Sequence, residues 1–182
     1  DEPVGINAVE RFLGDYALEK GWQLPVPAAD TGKRILIVGA GPAGLSAAYQ
    51  LRRLGHAVHV VESAEAAGGM MRYGIPKYRL PREVLDQEIA RIAALGVEFE
   101  FGREVKDLNA EMKSAGYDAA FLGAGASLAH RAYIPAGDAA HILDAVSVLR
   151  SMEAPDQGED APMLGRRVVV YGGGNTAIDV AR

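Results

Sequence analysis

A glycine-rich segment, Gly39-Ala40-Gly41-Pro42-Ala43-Gly44, has the spacing of a turn that binds phosphate groups. In such a turn Gly39 permits the sharp bend, Gly41 lets the backbone approach a pyrophosphate, and Gly44 lets the next helix lie close to the preceding strand. Pro42 suits the first helical position, because the N–H that it lacks would have no partner there. The free N–H groups and the dipole at the helix start favour a negatively charged ligand. The segment therefore predicts a nucleotide site.

A carboxylate stands where the ribose of that nucleotide would lie. Glu62 follows Gly39 by 23 residues (62 − 39), close to the spacing at which an acidic side chain accepts hydrogen bonds from a ribose 2′-hydroxyl. Because a carboxylate would repel a 2′-phosphate, the first site is expected to take FAD or NAD rather than NADP. The glycines alone are a weak signal, but their context favours nucleotide binding over a purely structural turn.

The elements that must position these residues follow from the apolar pattern. Residues 35–38 are uniformly apolar, which is typical of a central parallel strand covered by helices on both sides. A helix at residues 43–54, ended by Gly55, and a strand at 57–61 follow. The later elements are a helix at 82–95, a half-buried strand at 97–101, a helix at 108–115 and a buried strand within 117–126. This order predicts an α/β fold with a doubly wound parallel sheet.

A long segment without helical or strand periodicity, residues 63–81, interrupts that order. A loop of this length inside a compact domain is usually functional. Gly68 and Gly69 allow a ligand to approach the backbone closely. Arg72, Lys77 and Arg79 could neutralise phosphates or carboxylates, or they could be solvated surface charges.

The glycine device recurs near the end of the chain. An apolar segment at 167–171 runs into Gly172-Gly173-Gly174-Asn175-Thr176-Ala177, which predicts a second strand, turn and helix start. The two turns are separated by 133 residues (172 − 39), which suits a flavoenzyme with one unit for FAD and another for NAD(P)H. Asn175 and Asp179 could fix the turn or a partner side chain, while Asp179 also suits the helix dipole without any function.

Composition narrows the function classes. The 182 residues are 49% hydrophobic and 24% charged, with a net charge of −5 and a pI near 5.4. These values are those of a soluble globular protein, and the acidic balance argues against a nucleic-acid surface. No apolar run approaches membrane-spanning length and no cationic leader precedes an apolar segment, so we expect a cytoplasmic protein that does not bind a membrane. The absence of cysteine excludes thiol chemistry and cysteine-held iron–sulfur clusters from these residues, and the four histidines have no metal-ligand spacing. We therefore expect no metal site.

The sequence divides into four segments. We expect an amphipathic helix at 6–20 and a linker up to residue 32, an FAD-binding domain at 33–152, a linker at 153–165, and the start of an NAD(P)H-binding Rossmann unit at 166–182. Within the second segment, a turn at 134–138 and a helix at 139–152 are expected.

Several motifs occur together in this chain: Gly39 to Leu45, Gly68-Gly69-Met70, Tyr73-Gly74-Ile75-Pro76, Arg79-Leu80-Pro81, Gly123-Ala124-Gly125 and Gly172 to Asp179. Together they resemble the NADPH-dependent glutamate synthase small (beta) subunit family, which includes the similar flavin module of dihydropyrimidine dehydrogenase. The resemblance covers essentially the whole chain, and residues 2–7 with Gly21-Trp22 resemble the tail of the family's N-terminal iron–sulfur domain.

The resemblance implies that NAD(P)H reduces FAD, which passes electrons singly through iron–sulfur clusters to a partner subunit or domain. It places the FAD pyrophosphate at the first turn and the nicotinamide nucleotide at the second. No side chain is assigned as an acid, base or nucleophile, because the cofactor does the chemistry. The residues that it assigns to cofactor binding are Gly39, Ala40, Gly41, Pro42, Ala43, Gly44, Glu62, Ser63, Gly69, Met70, Arg79, Val105, Gly125, Gly172, Gly174, Asn175 and Thr176.

The departures from the family pattern are equally informative. Cluster-binding cysteines are absent, and the sequence stops before the family's second flavin segment and most of its NAD(P)H domain. We therefore expect part of a longer protein that cannot complete NAD(P)H oxidation alone. A flavin- or nucleotide-binding subunit that only docks electron carriers is an alternative, as is an NAD-only dehydrogenase, against which the long loop argues. The choice between NADH and NADPH stays open.

Overall fold

The structure, a computed structural model, describes residues 3–126, 142–153 and 167–182. Its helices are α1 (Ile6–Glu19), α2 (Pro42–Arg53), α3 (Met70–Tyr73), α4 (Arg82–Ala93), α5 (Leu108–Ala115), α6 (Ala145–Ser151) and α7 (Asn175–Ala181). Its strands are β1 (Arg34–Val38), β2 (Ala57–Val61), β3 (Glu98–Glu100) and β4 (Ala119–Leu122).

The four strands form one parallel sheet in the order β3-β2-β1-β4. Ile37 of β1 is in register with Val60 of β2 on one side and with Phe121 of β4 on the other. Parallel neighbours need crossover connections, which α2 supplies between β1 and β2 and α4 between β2 and β3. The predicted α/β fold of Rossmann-like type is therefore confirmed.

The core lies between β1, β2 and helix α2. Ile37 and Val60 are fully buried, and Leu45 and Ala48 of α2 pack on them. Burying each large aliphatic side chain contributes about 1.5–3 kcal/mol, so this cluster fixes the helix against the two strands. The carboxyl end of β1, where the first glycine turn begins, is thereby held in place.

The fourth strand differs from the prediction of a buried element. Phe121 is 38% exposed and Leu122 is 65% exposed. The reason is that β4 is an edge strand, because only β1 pairs with it among the described residues.

The apolar segment before the second glycine turn is not a strand. Residues 167–173 have no strand assignment, and Val169 is 92% exposed. A strand is stabilised by its ladder hydrogen bonds and cross-strand side-chain pairs, and the described part of the chain offers this segment no partner. The turn and the following helix α7 are nevertheless present.

Helix α6 begins later than the sequence predicts. Asp144 caps it by accepting hydrogen bonds from the N–H groups of Val146 and Ser147, so residues 142–144 precede the helix. Predicted features at residues 134–141, and the linker beyond Glu153 up to residue 165, lie outside the described residues.

The predicted N-terminal helix is present as α1, and Trp22 packs edge-on against Tyr16 with ring centroids 5.7 Å apart. The Trp22 carbonyl accepts a hydrogen bond from the Arg91 guanidinium of α4 at 3.1 Å. The segment is thus attached to the sheet-covering helices. Across the described ranges, no helix combines the length and apolar character needed to cross a bilayer.

Candidate nucleotide-binding site

The first glycine turn, residues 39–44, follows β1 and contacts the carboxyl ends of the two neighbouring strands, β2 and β4. Gly39 has φ = 100°, and its N–H donates to the carbonyl of Val61 at 2.8 Å. A Cβ at this position would lie 2.4 Å from the carbonyl oxygen of Gly123, just past β4. Only glycine fits, both for its positive φ and for the backbone beside it.

The start of helix α2 approaches the turn equally closely. A Cβ on Gly44 would lie 1.8 Å from the carbonyl oxygen of Gly39. Gly41 is the N-cap, Pro42 occupies the first helical turn, and Ala43 follows it. The arrangement therefore has the geometry that the sequence predicts for a phosphate-binding turn.

The predicted ribose carboxylate is fixed directly beside the turn. Glu62 is only 9% exposed, and its Oε2 accepts a hydrogen bond from the N–H of Ala40 at 2.7 Å. Its Oε1 accepts from the N–H of Ala64 at 2.8 Å and from the Ser63 hydroxyl at 3.1 Å. A carboxylate has about four acceptor positions, so one on Oε2 remains for a ligand hydroxyl.

The long loop, residues 63–81, packs against the same turn. The N–H of Gly68 donates to the carbonyl of Ala40 at 2.9 Å, and a Cβ on Gly69 would lie 2.7 Å from Cα of Gly41. Met70 begins the short helix α3 and is 45% exposed. A helix of four residues is too short to give a periodic pattern in the sequence. The structure thus brings Gly69 to the first turn, with Met70 next to it in sequence.

A buried arginine that the sequence analysis missed shapes the rest of this loop. Arg82 donates to the carbonyls of Arg72, Ile75 and Leu80 at 2.6, 2.7 and 2.8 Å. It also pairs with both carboxylate oxygens of Glu153 at 2.9 and 3.0 Å, and each side chain is 11% exposed. No local signal announces this pair, because the two residues are 71 positions apart.

Arg79 lies further along the loop and contacts helix α7. Its guanidinium donates to Oδ2 of Asp179 at 2.7 Å, and the Tyr78 hydroxyl donates to Oδ1 at 3.1 Å. Asp179 is 5% exposed. Among the roles that the sequence allows for it, these contacts correspond to holding a partner side chain. Desolvation, together with the hydrogen bond to Asp179, raises the pKa of the Tyr78 hydroxyl.

The remaining predicted residues lie in other segments of the chain. Val105 is half-buried between β3 and α5, and Gly125 is exposed beyond β4 with φ = 74°. In the second turn, Gly172 has φ = 131° and Gly174 is the N-cap of α7. The exposed residues Asn175 and Thr176 begin that helix.

The groups that converge at the carboxyl edge of the sheet are backbone N–H groups of the first turn and one fixed carboxylate, Glu62. Such groups bind and orient a ligand rather than exchange protons with it. The chemistry that they fit is the binding of a dinucleotide whose own ring system reacts.

Comparison with known proteins agrees with this geometry. Residues 33–182 match the family described as "Pyridine nucleotide-disulphide oxidoreductase". The chain is 35% identical to the glutamate synthase [NADPH] small chain of Mycobacterium tuberculosis, covering 98% of the chain and 39% of that protein. It is 37% identical to the NAD-dependent dihydropyrimidine dehydrogenase subunit PreT of Salmonella typhimurium, covering 100% of the chain and 43% of that protein.

Two further similarities extend the comparison. The NADP(+)-dependent formate dehydrogenase subunit beta of Moorella thermoacetica is 36% identical over 100% of the chain and 29% of that subunit. Among solved structures, Mycobacterium tuberculosis FprA in complex with NADPH superposes with a TM-score of 0.70 at 28% identity, over 82% of the chain and 36% of FprA. The chain thus spans less than half the length of each of these proteins.

Proposed function

We propose a function from an established relationship: the chain belongs to the pyridine nucleotide-disulphide oxidoreductase family. It is the FAD-binding part of a flavin oxidoreductase that takes electrons from NAD(P)H. Its relatives include small chains and subunits of glutamate synthase, dihydropyrimidine dehydrogenase and formate dehydrogenase. This function is the one that the first glycine turn and its surroundings support best.

The observation that carries the proposal is the close packing of glycine backbone and the Glu62 carboxylate around the first turn. Backbone packs closely against backbone at four glycines, Gly39, Gly41, Gly44 and Gly69. A glycine turn of this kind allows a pyrophosphate to approach the N–H groups at the helix start. Glu62 keeps an acceptor position beside them. These features fit FAD.

The proposal assigns a part of the FAD molecule to each group of residues around the first turn. The first turn binds the pyrophosphate through Ala40, Pro42, Ala43 and the N–H groups of α2, while Glu62 and Ser63 hold the adenosine ribose. Gly69, Met70 and Arg79 line the flavin side, Val105 meets the adenine through its backbone, and Gly125 completes the strand-end edge. When bound, FAD accepts a hydride and releases electrons one at a time.

The second turn is proposed to receive the nicotinamide nucleotide. Gly172, Gly174, Asn175 and Thr176 supply its backbone and helix start, at a distance in sequence that suits a separate unit. The division into residues 1–32, 33–152, 153–165 and 166–182 is retained as the domain proposal. The NADPH of the FprA complex, and the NADPH or NAD in the relatives' names, support a nicotinamide donor.

The electron acceptor is proposed to be an iron–sulfur subunit or domain outside these residues. The sequence has no cysteine, so it holds no such cluster itself. Three relatives are named as a small chain or a subunit, which favours a partner.

The test uses the full-length protein under anaerobic conditions. A yellow preparation with one FAD per chain, whose 450 nm band is bleached by NADPH or NADH, is the expected result. Bound FAD that neither nicotinamide bleaches would instead support a subunit that only docks electron carriers. A colourless protein that does not bind added FAD would contradict the proposal.

A second arm uses the 182-residue chain alone. Equilibrium dialysis measures its binding of FAD and of NADPH, and a reductase assay with an artificial acceptor measures turnover. No turnover is expected, because the 182 residues span less than half the length of the matched relatives. Sustained NADPH oxidation by these residues alone would refute the division of sites that we propose.

A further inference from the structure

The carboxylate of Asp179 connects helix α7 to the long loop of the first site. It is 5% exposed, and it accepts hydrogen bonds from Arg79 at 2.7 Å and from Tyr78 at 3.1 Å. An ionised carboxylate that is removed from water is stable only with such donors, because its desolvation costs several kcal/mol. Two consecutive loop residues are therefore held in a fixed position relative to α7.

The same loop is fixed at its other end to the first turn. Gly69 contacts Gly41, and Arg82 binds the carbonyls of Ile75 and Leu80, which flank Arg79 in sequence. A continuous set of backbone and ionic contacts thus runs from the first turn, along the loop, to Asp179. Since α7 begins at the second turn, this set of contacts joins the two turns physically.

We propose that Asp179 is a positioning residue for hydride transfer. Through Arg79 and Tyr78 it sets where the second turn, with its nicotinamide nucleotide, stands relative to the first turn and its flavin; this inference rests on the proposed function. The hydride leaves the dihydronicotinamide, which is oxidised, and reaches the flavin, which is reduced, with no bond to the protein. Transfer requires reacting atoms about 3–3.5 Å apart, and a displacement of about 1 Å costs up to about 100-fold in rate.

The test compares variants of the full-length, FAD-loaded protein by stopped-flow reduction at saturating NAD(P)H. Asp179→Asn keeps the side-chain volume but removes the charge, and Tyr78→Phe removes one hydrogen bond. We expect flavin reduction to slow by about tenfold in Asp179→Asn and by a smaller factor in Tyr78→Phe, with FAD content unchanged. The matched control is Asp118→Asn, which also breaks an aspartate ion pair, of 2.8 Å with Lys33, far from the carboxyl edge of the sheet; its reduction rate should equal that of the wild type.

A second readout is independent of catalysis. Hydrogen–deuterium exchange of the α7 amides should be faster in the FAD-free forms of Asp179→Asn and Tyr78→Phe, and unchanged in Asp118→Asn. Faster exchange combined with slower reduction at full FAD occupancy supports the inference.

Several results would overturn it. Wild-type reduction rates in both variants would do so, and so would a rate loss that merely follows loss of FAD. If Asp179→Asn does not fold, Tyr78→Phe decides alone by the same two readouts. A wild-type flavin that neither nicotinamide reduces overturns the proposed function and this inference together, whereas normal rates in the variants overturn the inference only.

Discussion

The two glycine turns have nearly the same sequence pattern and very different surroundings. At the first turn, Cβ atoms on Gly39 and Gly44 would lie 2.4 and 1.8 Å from backbone oxygens. At the second turn, Gly173 and Gly174 have no atom within 4 Å of such a Cβ. The residues before the first turn form a strand with two neighbours, while those before the second form none among the described residues.

The difference shows that a glycine motif specifies a local bend, and that its neighbours decide how much the glycines matter for folding. Around the first turn, glycine is required by packing of backbone against backbone. In the second turn, Gly173 and Gly174 meet no such packing from the described residues, and Gly172 is favoured as glycine by its backbone, with φ = 131°. Folding and binding can therefore be separated by experiment.

The largest effect is expected from adding one methyl group to each turn in parallel variants. Gly44→Ala should lower the free energy of unfolding by about 3 kcal/mol, because its Cβ overlaps the Gly39 carbonyl and α2 must move. Gly174→Ala should change that free energy by less than about 0.5 kcal/mol, because φ is −78° and the space is open. Urea unfolding of both variants measures the difference.

The same pair of variants also tests ligand binding. Gly174→Ala should weaken NAD(P)H binding in the full-length protein while leaving FAD content unchanged, since its Cβ would occupy the approach to the backbone. Equal destabilisation by the two substitutions would contradict the comparison between the turns.

The next effect concerns the largely buried ion pair between Arg82, at the end of the long loop, and Glu153, which follows α6. Glu153→Gln leaves the Arg82 charge buried without its full partner, and we expect the free energy of unfolding to fall by about 2 kcal/mol. The control is Glu88→Gln, whose carboxylate is 43% exposed in its pair with Arg91 and should contribute at most about 0.5 kcal/mol. Chemical unfolding followed by circular dichroism distinguishes them, and equal losses would show that burial is not the cause.

A smaller effect is expected from Glu62→Gln. The amide keeps one acceptor oxygen, but its NH2 group faces the donor N–H of Ala40 or Ala64. The N–H left without an acceptor should lower the free energy of unfolding by about 1.5 kcal/mol. FAD affinity in the full-length protein should fall by about tenfold, measured by fluorescence titration, because the ribose loses a charged acceptor. Glu98→Gln is the control, since it makes the same change at an exposed carboxylate of β3. Unchanged FAD affinity in Glu62→Gln would remove the ribose role.

The smallest effect lies at the opposite end of β1. The hydrogen bond from Lys33, with a second from the Arg34 N–H, lowers the pKa of Asp118 below its ordinary value of 3.8. A lowered folded-state pKa gives stability that is present above the unfolded pKa and is lost as the pH falls through the folded pKa. Asp118→Asn should therefore melt slightly below the wild type at pH 7, and the difference should shrink as the pH falls below about 4 and vanish once the pH is below the lowered folded-state pKa.

This pH dependence is measured by thermal unfolding in low salt, where surface ion pairs are screened least. Because the pair is exposed, the shift in midpoint should be smaller than in any variant above. A difference that persists at pH 2 would assign the effect to the shape of the side chain rather than to its charge.

The unit from β1 to β2 was predictable because its information is local. Uniform apolar residues, the turn glycines and the capped helix each specify their element within a few residues, and Glu62 lies at the end of its strand. The bounds of α5 agree with the prediction for the same reason: Asp107 caps it and Gly116 ends it with φ = 67°.

The contacts that assemble the site were not predictable from the sequence. Arg82 pairs with Glu153 and Arg79 with Asp179 across 71 and 100 positions, and each residue has the local pattern of an ordinary surface charge. The strand predicted before the second turn was wrong, because an apolar segment forms a strand only where a neighbouring strand pairs with it. Edge exposure of β4 depends likewise on which strands flank it.

The ion pair of Arg82 also sets an order of events during synthesis of the chain. The four strands of the described residues, β1 to β4, are translated before Glu153, and Asp179 emerges later still. The first nucleotide site therefore acquires its fold early and the final shape of its loop late, once both carboxylates have left the ribosome. A nascent chain arrested before residue 153 would have the glycine turn but a loop in which Arg82 has no acidic partner at position 153.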